Sequence, residues 1–130
     1  MKQLIYSFFL LVLISCAEDH IGQTPTDGTA PSTITAVEVE STPGGAKISD
    51  TIPKETDISY VKGVYYVNNR EHVVRSSIYK NSLEIEGLGT TDPLDVTLYV
   101  VDHSENVSEP FVVTINPSTP IVDLILSSVK

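Results

Sequence analysis

Between residues 35 and 115 the chain alternates apolar and polar residues in short runs, and no run has the period of an amphipathic helix. A period of two places successive side chains on opposite faces of a β-strand. The runs are separated by residues that accept a positive φ or preset a bend, such as Pro43-Gly44-Gly45, Asn68-Asn69 and Asn81-Ser82. The pattern predicts seven strands, at residues 36–40, 46–52, 60–67, 72–77, 83–87, 95–102 and 111–115.

Seven short strands joined by turns predict an all-β domain, a seven-stranded antiparallel β-sandwich over residues 34–116. Parity then indicates the buried side of each strand, because a register shift of one residue would invert every side chain. Polar residues such as Glu38, Lys47 and Thr97 mark the outward faces. The residues of opposite parity form the predicted core, with Leu88 closing one end: Val37, Val39, Ala46, Ile48, Ile52, Val61, Tyr65, Leu83, Ile85, Val96, Leu98, Val100, Phe111, Val113 and Ile115. Gly63 falls on the same inner face, where we expect Tyr65 to fill the space left by the missing side chain.

The chain begins with a different pattern. Lys2 precedes an apolar run over residues 4–14, and Leu13-Ile14-Ser15-Cys16 resembles the lipobox of bacterial lipoproteins. A membrane-spanning helix needs about 20 apolar residues, and this run is shorter. We therefore expect residues 1–15 to be a lipoprotein signal peptide, and Cys16 to be the lipidated first residue of the mature protein. The alternative is an ordinary small residue near the end of an uncleaved anchor.

Cys16 is the only cysteine, and lipidation explains why an exported chain carries one unpaired thiol. Glu18-Asp19 resembles the surface-export signal of Bacteroidota lipoproteins, which implies an outer-membrane protein, lipid-anchored and exposed at the cell surface. Residues 16–33 contain few apolar side chains that could offset the entropy of ordering, so they are predicted to form a flexible tether. Such a tether spans roughly 20–25 Å.

Several residues of the second half resemble the last strands of a fibronectin type III module. They are Ile85-Glu86-Gly87-Leu88, the alternating apolar residues from Leu94 to Val100, and Asn106-Val107-Ser108-Glu109-Pro110. Leu94 stands where that family has the tyrosine of its corner. Asp50 stands where its second strand buries an aromatic, so either that strand has another register or Asp50 lies at the strand end, where water reaches it.

Three further stretches resemble a narrower family, the fibronectin-like N-terminal module of Bacteroidota surface lipoproteins that often carry a discoidin-type domain. They are Pro43-Gly44-Gly45-Ala46, residues 60–65, and Leu98-Tyr99-Val100-Val101-Asp102. This resemblance covers most of residues 16–120. It implies a role in glycan capture beside starch-utilization-system-like outer-membrane transporters, with those transporter-associated proteins or a C-terminal discoidin-type domain as partners. It does not imply that the module itself touches the glycan.

The last residues, 117–130, are predicted to be a linker followed by the start of a second module. Pro117 and Pro120 fix φ and resist helix formation. The segment that follows, Ile121-Val122-Asp123-Leu124-Ile125-Leu126, is too apolar for a solvated tail. The alternative is an eighth strand at the edge of the sandwich.

The composition and the motifs of the chain limit the classes of function that it can have. Asp and Glu number 17 against 8 Lys and Arg, a net charge of −9 that argues against nucleic acid as a partner. His20, His72 and His103 have no spacing typical of a metal site. The chain has neither a phosphate-binding glycine loop nor a nucleophile elbow. The sequence therefore indicates a non-enzymatic protein with no catalytic residues, no metal and no cofactor.

One surface is a candidate for binding. Tyr60, Lys62, Val64 and Tyr66 share outward parity on one strand, and Tyr99 and Val101 share it on a strand expected to be its neighbour. Such a patch is larger than scattered surface hydrophobics. It is either a ladder that stabilises the sheet, a docking surface for the next module or a partner protein, or a platform on which a glycan stacks.

Asp50-Thr51-Ile52 also matches the short Asp-Thr-apolar pattern at which Bacteroidota attach O-glycans, so Thr51 is a candidate for O-glycosylation. The alternative is that Thr51 is present because threonine favours a strand. Together these features predict a spacer and docking module of a glycan-acquisition system. Two alternatives remain: a direct carbohydrate-binding module, and an adhesin-like or structural protein of the envelope.

Overall fold

The structure is a computed structural model, and it describes residues 27–129. The signal peptide, Cys16 and the first part of the predicted tether lie outside the described residues. The described elements are β1 (Val37–Thr42), β2 (Gly45–Asp50), β3 (Ile58–Val67), β4 (Arg70–Ser77), β5 (Ser82–Ile85), β6 (Leu94–Asp102), β7 (Phe111–Ile115) and α1 (Ile121–Ser128). Each of the seven predicted strand segments overlaps one of these strands.

The strands form two antiparallel sheets. One has three strands in the order β1-β2-β5, and the other has four in the order β4-β3-β6-β7. The apolar sides of the two sheets face each other, which confirms the predicted seven-stranded antiparallel β-sandwich. The outer side of the four-stranded sheet faces away from the core, and β3 and β6 lie at its centre.

The core follows the predicted parity, with additions at the ends of the strands. Val39 has inward parity, opposite Ile48, but its place on edge strand β1 leaves it 38% exposed. Ile34 and Ile58 are buried, although both precede the predicted strands. The predicted core residues that are buried are Ala46, Ile48, Val61, Tyr65, Leu83, Ile85, Leu88, Val96, Leu98, Val100 and Ile115, and those that are partly buried are Val37, Ile52, Phe111 and Val113.

Gly63 lies on the inner face as predicted, but Tyr65 does not fill the space beside it. A Cβ at Gly63 would lie 3.1 Å from Val74 Cγ2 and 3.4 Å from Leu98 Cδ2 and Val96 Cγ1. The glycine therefore makes room for branched side chains of the two neighbouring strands, β4 and β6. The expectation named the wrong neighbour because Tyr65 lies two residues further along the same strand, whereas cross-strand neighbours lie closer.

The turn between β3 and β4 sets the register of the outer face. Asn68 and Asn69 have φ values of 51° and 60°, as a two-residue turn between antiparallel strands requires. The resulting hairpin places Lys62 opposite Arg75, and Tyr66 opposite Glu71. The Asn-Asn turn predicted from the sequence thus aligns the outward residues of β3 with those of β4.

Residues before Ile34, assigned to the predicted tether, already contact the sandwich where the structure describes them. The side-chain amide of Asn106 donates to the carbonyl of Asp27 at 3.0 Å, and the hydroxyl of Thr33 donates to the carbonyl of Glu109 at 2.9 Å. Pro31 is buried. The contacts of the folded domain therefore extend at least from Asp27.

The C-terminal segment is a helix and not an edge strand, so that alternative is wrong. Helix α1 begins after Pro120, where it lacks a side-chain cap, and none of its residues is buried. Asp123 and Ser127 are four residues apart, so these polar residues lie on the same side of α1. Apolar side chains occupy most of the remaining helix surface. In the part of the chain that the structure describes, no helix is long and apolar enough to cross a membrane.

Candidate functional site

The outward side chains of the four-stranded sheet form a continuous surface, which we call the tyrosine face. Strand pairing aligns its residues in rows, with Lys62 of β3 between Arg75 of β4 and Tyr99 of β6. Val64 lies between Val73 and Thr97, and Thr97 is opposite Val112 of β7. The tyrosine face comprises Tyr60, Lys62, Val64, Tyr66, Glu71, Val73, Arg75, Thr97, Tyr99 and Val112.

Two cations lie over two of its tyrosine rings. Lys62 Nζ is 5.1 Å from the centre of the Tyr99 ring, and Arg75 Cζ is 5.8 Å from the centre of the Tyr60 ring. Both distances are within the range of a cation–π interaction, which contributes about 0.5–1 kcal/mol at an exposed site. Tyr60 and Tyr99 are therefore half-buried and partly covered by these side chains.

Tyr66 is the most open aromatic of the face, with 58% of its surface exposed. Its hydroxyl donates a hydrogen bond of 2.7 Å to the Glu71 carboxylate. This bond, together with the negative charge of Glu71, raises the pKa of Tyr66. Tyr66 is therefore a neutral hydrogen-bond donor at neutral pH, and its ring is open to a partner.

Val101 was predicted to be part of the exposed patch, and this is wrong. It lies opposite Tyr60 and so has outward parity, but its exposed fraction is only 1%. At this end of β6 the chain turns back and Val107 forms a bridge with Val101. The parity of a residue along its strand correctly predicts which side of the sheet it faces. It does not predict whether an irregular segment covers that residue at the end of the strand.

Sequence reasoning missed the two charged residues that β4 adds to the face, Glu71 and Arg75, and two of its exposed valines. Val73 and Val112 are 39% and 59% exposed, and both lie in the same row as Val64. Val112 stands between Phe111 and Val113, which were placed in the core, so parity already assigned it to the outside. With these valines the apolar part of the face extends across all four strands.

Asp50 is a second unusual feature. It faces inward at the end of β2, the side shared by Ala46 and Ile48, so the predicted register is correct. The expectation that water reaches it is wrong, since neither carboxylate oxygen is accessible and neither has a hydrogen-bond partner among the described residues. Burial raises the pKa of Asp50, and an interaction with the residue's own backbone amide, too weak in geometry to count as a hydrogen bond, only partly opposes the shift. An unpaired buried carboxylate destabilises the fold.

Asp102 is buried as well, but it has partners. Its Oδ1 accepts hydrogen bonds from the amides of Ser104 and Asn106, both at 2.8 Å, and its Oδ2 accepts one from the Asn106 side chain at 2.9 Å. Burial by itself raises the pKa of this carboxyl, but the hydrogen bonds from Asn106 and Ser104 outweigh it and hold the pKa below its usual value. Asp102 therefore organises the loop after β6.

The other residues with a possible chemical role do not form a cluster within residues 27–129. Residues 27–129 contain no group of three or more His, Cys, Asp or Glu side chains that could hold a metal ion. His72 stacks on Tyr65, with ring centres 5.3 Å apart. Thr51 is exposed directly after β2, where its amide donates to the carbonyl of Ala36 at 2.9 Å. Its glycosylation stays a prediction, as does the lipidation of Cys16, which lies outside the described residues.

The opposite side of the sandwich has a different character. A groove of about 520 Å³ runs between the outer side of the three-stranded sheet and the start of α1. Its walls include Glu40, Glu84 and Glu86, with Lys47 between them and Ile121 at one end. This side is acidic, whereas the tyrosine face is aromatic and apolar around two cations.

Comparison with known proteins agrees with this architecture. Residues 31–117 match the family model described as Domain of unknown function (DUF4959). No curated protein matches the chain significantly. The fold is similar to that of the spore cortex lytic enzyme SleM of Clostridium perfringens, at 16% identity and a TM-score of 0.53, over 66% of this chain and 28% of that chain. A structure described as a myokine is also similar, at 14% identity and a TM-score of 0.53, over 68% of this chain and all of that one (100%).

Proposed function

We propose that this chain, which belongs to the DUF4959 family, is a non-enzymatic, lipid-anchored module of the bacterial cell surface that docks to a partner protein. The observation that carries the proposal is the tyrosine face. On a chain with a net charge of −9, it offers a surface with exposed Tyr66, Val73 and Val112. Contiguous apolar surface of this kind is typical of protein interaction sites.

The proposed partner is an outer-membrane protein of a glycan-acquisition system. Two features support this: the resemblance to the fibronectin-like modules of Bacteroidota surface lipoproteins, and a sandwich with sheets of three and four strands. The module would act as a spacer that holds a bound protein, or a discoidin-type domain further along the chain, away from the membrane. The exposed apolar helix α1 supports a continuation into such a domain.

Membrane attachment is tested at Cys16. Replacing Cys16 with Ser removes the thiol that would receive the lipid, and we expect the variant to leave the outer-membrane fraction. Acyl labelling of the wild type should mark Cys16 alone. A variant that fractionates with the outer membrane as the wild type does would contradict lipid anchoring.

The docking role is tested by changing the face without changing the core. Val112→Asp and Tyr66→Asp place a charge on exposed positions of β7 and β3, and Glu40→Lys is the matched control on the opposite sheet. We expect the two face variants to lose co-purification with the outer-membrane partner, and Glu40→Lys to keep it. Equal co-purification of all three would contradict docking through this face.

Direct carbohydrate binding is the alternative that one observation favours, because the Tyr66 ring is open. The covered rings of Tyr60 and Tyr99 oppose it, since a sugar stacks on a free ring face. Isothermal titration of the purified chain against a broad oligosaccharide panel separates the two roles. Saturable binding that is lost in Tyr66→Ala, with folding stability kept, would favour the carbohydrate-binding role.

The third role, an adhesin-like or structural protein of the envelope, makes a different prediction. An adhesin-like or structural role does not depend on a transporter gene in the same genetic neighbourhood. Sequencing the surrounding locus therefore distinguishes it from the proposed role, for which we expect a starch-utilization-system-like transporter nearby.

A further inference from the structure

The two cations at the centre of the tyrosine face lack an acidic partner. Lys62 and Arg75 are directly opposite each other on β3 and β4, an arrangement that destabilises a sheet when both charges have the same sign. Within residues 27–129 the one ion pair joins Lys80 and Glu84, at 3.3 Å. Each cation instead lies over a tyrosine ring, Lys62 over Tyr99 and Arg75 over Tyr60.

Two acidic residues bond to tyrosines of this face, and neither forms an ion pair with Lys62 or Arg75. Glu71 accepts the hydroxyl of Tyr66, and Glu105 accepts the hydroxyl of Tyr60 at 3.1 Å. The rings of Tyr99 and Tyr60 thus contact the two cations, while the hydroxyls of Tyr66 and Tyr60 bond to the two acids. Lys62 and Arg75 therefore carry two positive charges on neighbouring strands, and neither charge is paired with an acid within residues 27–129.

From this geometry we infer that the Lys62–Arg75 pair receives a carboxylate from an acidic segment of a partner protein. The inference rests on the proposed docking function and adds the chemistry of the contact. An Asp or Glu side chain placed between the two cations would relieve their repulsion and form charge-assisted hydrogen bonds with both. The surrounding valines would bury the apolar neighbours of that acid.

A protein carboxylate fits the surroundings better than that of an acidic sugar. The rings nearest the cations, Tyr60 and Tyr99, are covered by Arg75 and Lys62, so no free ring lies beside the pair for a sugar to stack on. Val64, Val73 and Val112 form the next row instead. An apolar surface around a central charge matches the arrangement of a protein interface, where charge complementarity sets specificity.

The test is an NMR titration of the purified chain with a hexaglutamate peptide at low salt. Because the chain carries a net charge of −9, non-specific attraction of an anionic peptide is disfavoured, so saturable binding reports the local pair. We expect saturable shifts at Tyr60, Lys62, Arg75 and Tyr99. A hexaglutamine peptide is the neutral control, and hexagalacturonate presents the same carboxylate chemistry on a sugar.

Lys62→Gln and Arg75→Gln remove one charge each and keep a long polar side chain. Each should weaken hexaglutamate binding by about tenfold or more, as expected for loss of a charge-assisted contact, while Lys80→Gln should leave it unchanged. Thermal unfolding checks that the variants fold. Loss of the like-charge contact and loss of the cation–π contact have opposite effects on stability, so we expect a Tm close to that of the wild type.

Three results would overturn the inference: no saturable shift, binding that survives in both Gln variants, or tighter binding of hexagalacturonate accompanied by shifts at Tyr66. The last would assign the pair to an acidic glycan. None of these results affects docking through the apolar residues, which the Val112→Asp and Tyr66→Asp variants test separately.

Discussion

The amide of Gly44 donates a hydrogen bond of 2.9 Å to the carbonyl of Ser118. In return, the amide of Ser118 donates to the carbonyl of Thr42 at 3.1 Å. These bonds attach the predicted linker to the turn between β1 and β2, where Gly44 has a φ of 67°. Pro117 and Pro120 are buried on either side of Ser118. The chain therefore leaves the sandwich in a fixed direction, as the proposed spacer role requires, and α1 extends beyond this attachment.

Hydrogen exchange should separate the attachment from the helix. We expect the amides of Gly44 and Ser118 to be protected nearly as well as those of the strands. The amides of α1 should exchange much faster, because isolated helices of this length are marginal in water. Protection of α1 equal to that of Ser118 in the purified chain would contradict the exposed, unpaired helix.

Gly45 should tolerate no side chain. A Cβ at Gly45 would lie 1.8 Å from the backbone oxygen of Ile85, an atom that cannot move aside without shifting β5. Gly45→Ala should lower the free energy of unfolding by about 3 kcal/mol. Gly89→Ala is the matched control, because a Cβ there meets nothing within 4 Å. Its stability should be unchanged or higher by about 0.4–1 kcal/mol. Similar denaturant midpoints for the two variants would contradict the packing of β2 against β5.

Asp50 should give the sandwich a pH dependence of defined sign. Burial raises its pKa in the folded state, so the folded chain holds a proton at pH values where the unfolded chain has already lost it. The stability of the wild type should therefore fall as the pH rises from the ordinary Asp pKa, about 3.9, through the raised value. Above the raised pKa, the destabilisation caused by the charged Asp50 carboxylate is constant.

Asp50→Asn removes the charge and should remove this dependence. At pH 7 we expect the variant to be more stable than the wild type by about 1 kcal/mol, the low end of the cost of an unsatisfied buried group, because Asp50 is only partly buried and the amide also lacks partners. The free energies of unfolding of the variant and the wild type should converge near pH 4. Glu38→Gln, an exposed change on neighbouring β1, is the control. A difference between Asp50→Asn and wild type that stays constant from pH 4 to 7 in chemical denaturation would show that the Asp50 carboxyl is not perturbed.

The sequence was sufficient to predict the two sheets because the strands have strict alternation and clear turns. The inward parity of Ala46, Ile48 and Leu98 is correct, since a period of two leaves one choice once a polar neighbour is placed outside. The same reasoning placed Tyr60, Lys62 and Tyr99 on one face. Their alignment needs only that the strands containing them are adjacent, which the sandwich architecture supplies.

Contacts made by irregular segments could not be predicted in this way. Val101 is covered although its parity is outward, and Ile34 is buried although it precedes the first strand. For Asp50 the sequence left two alternatives, another register of its strand or a strand end that water reaches, because a charged side chain in a core contradicts the usual pattern. The helical form of residues 121–128 was missed because a short apolar run has the same composition in a helix as in a strand.

Site-specific photocrosslinking in intact cells tests whether the tyrosine face docks to a partner protein at the cell surface, as proposed. A photoreactive amino acid is placed at Val73 or Val112 on the tyrosine face, and at Glu38 or Glu40 on the opposite sheet, all exposed positions. We predict one adduct of defined mass, with the same outer-membrane protein, from both valine positions and none from either glutamate position. Adducts from the glutamate positions alone, or equal adducts from both sheets, would contradict the claim.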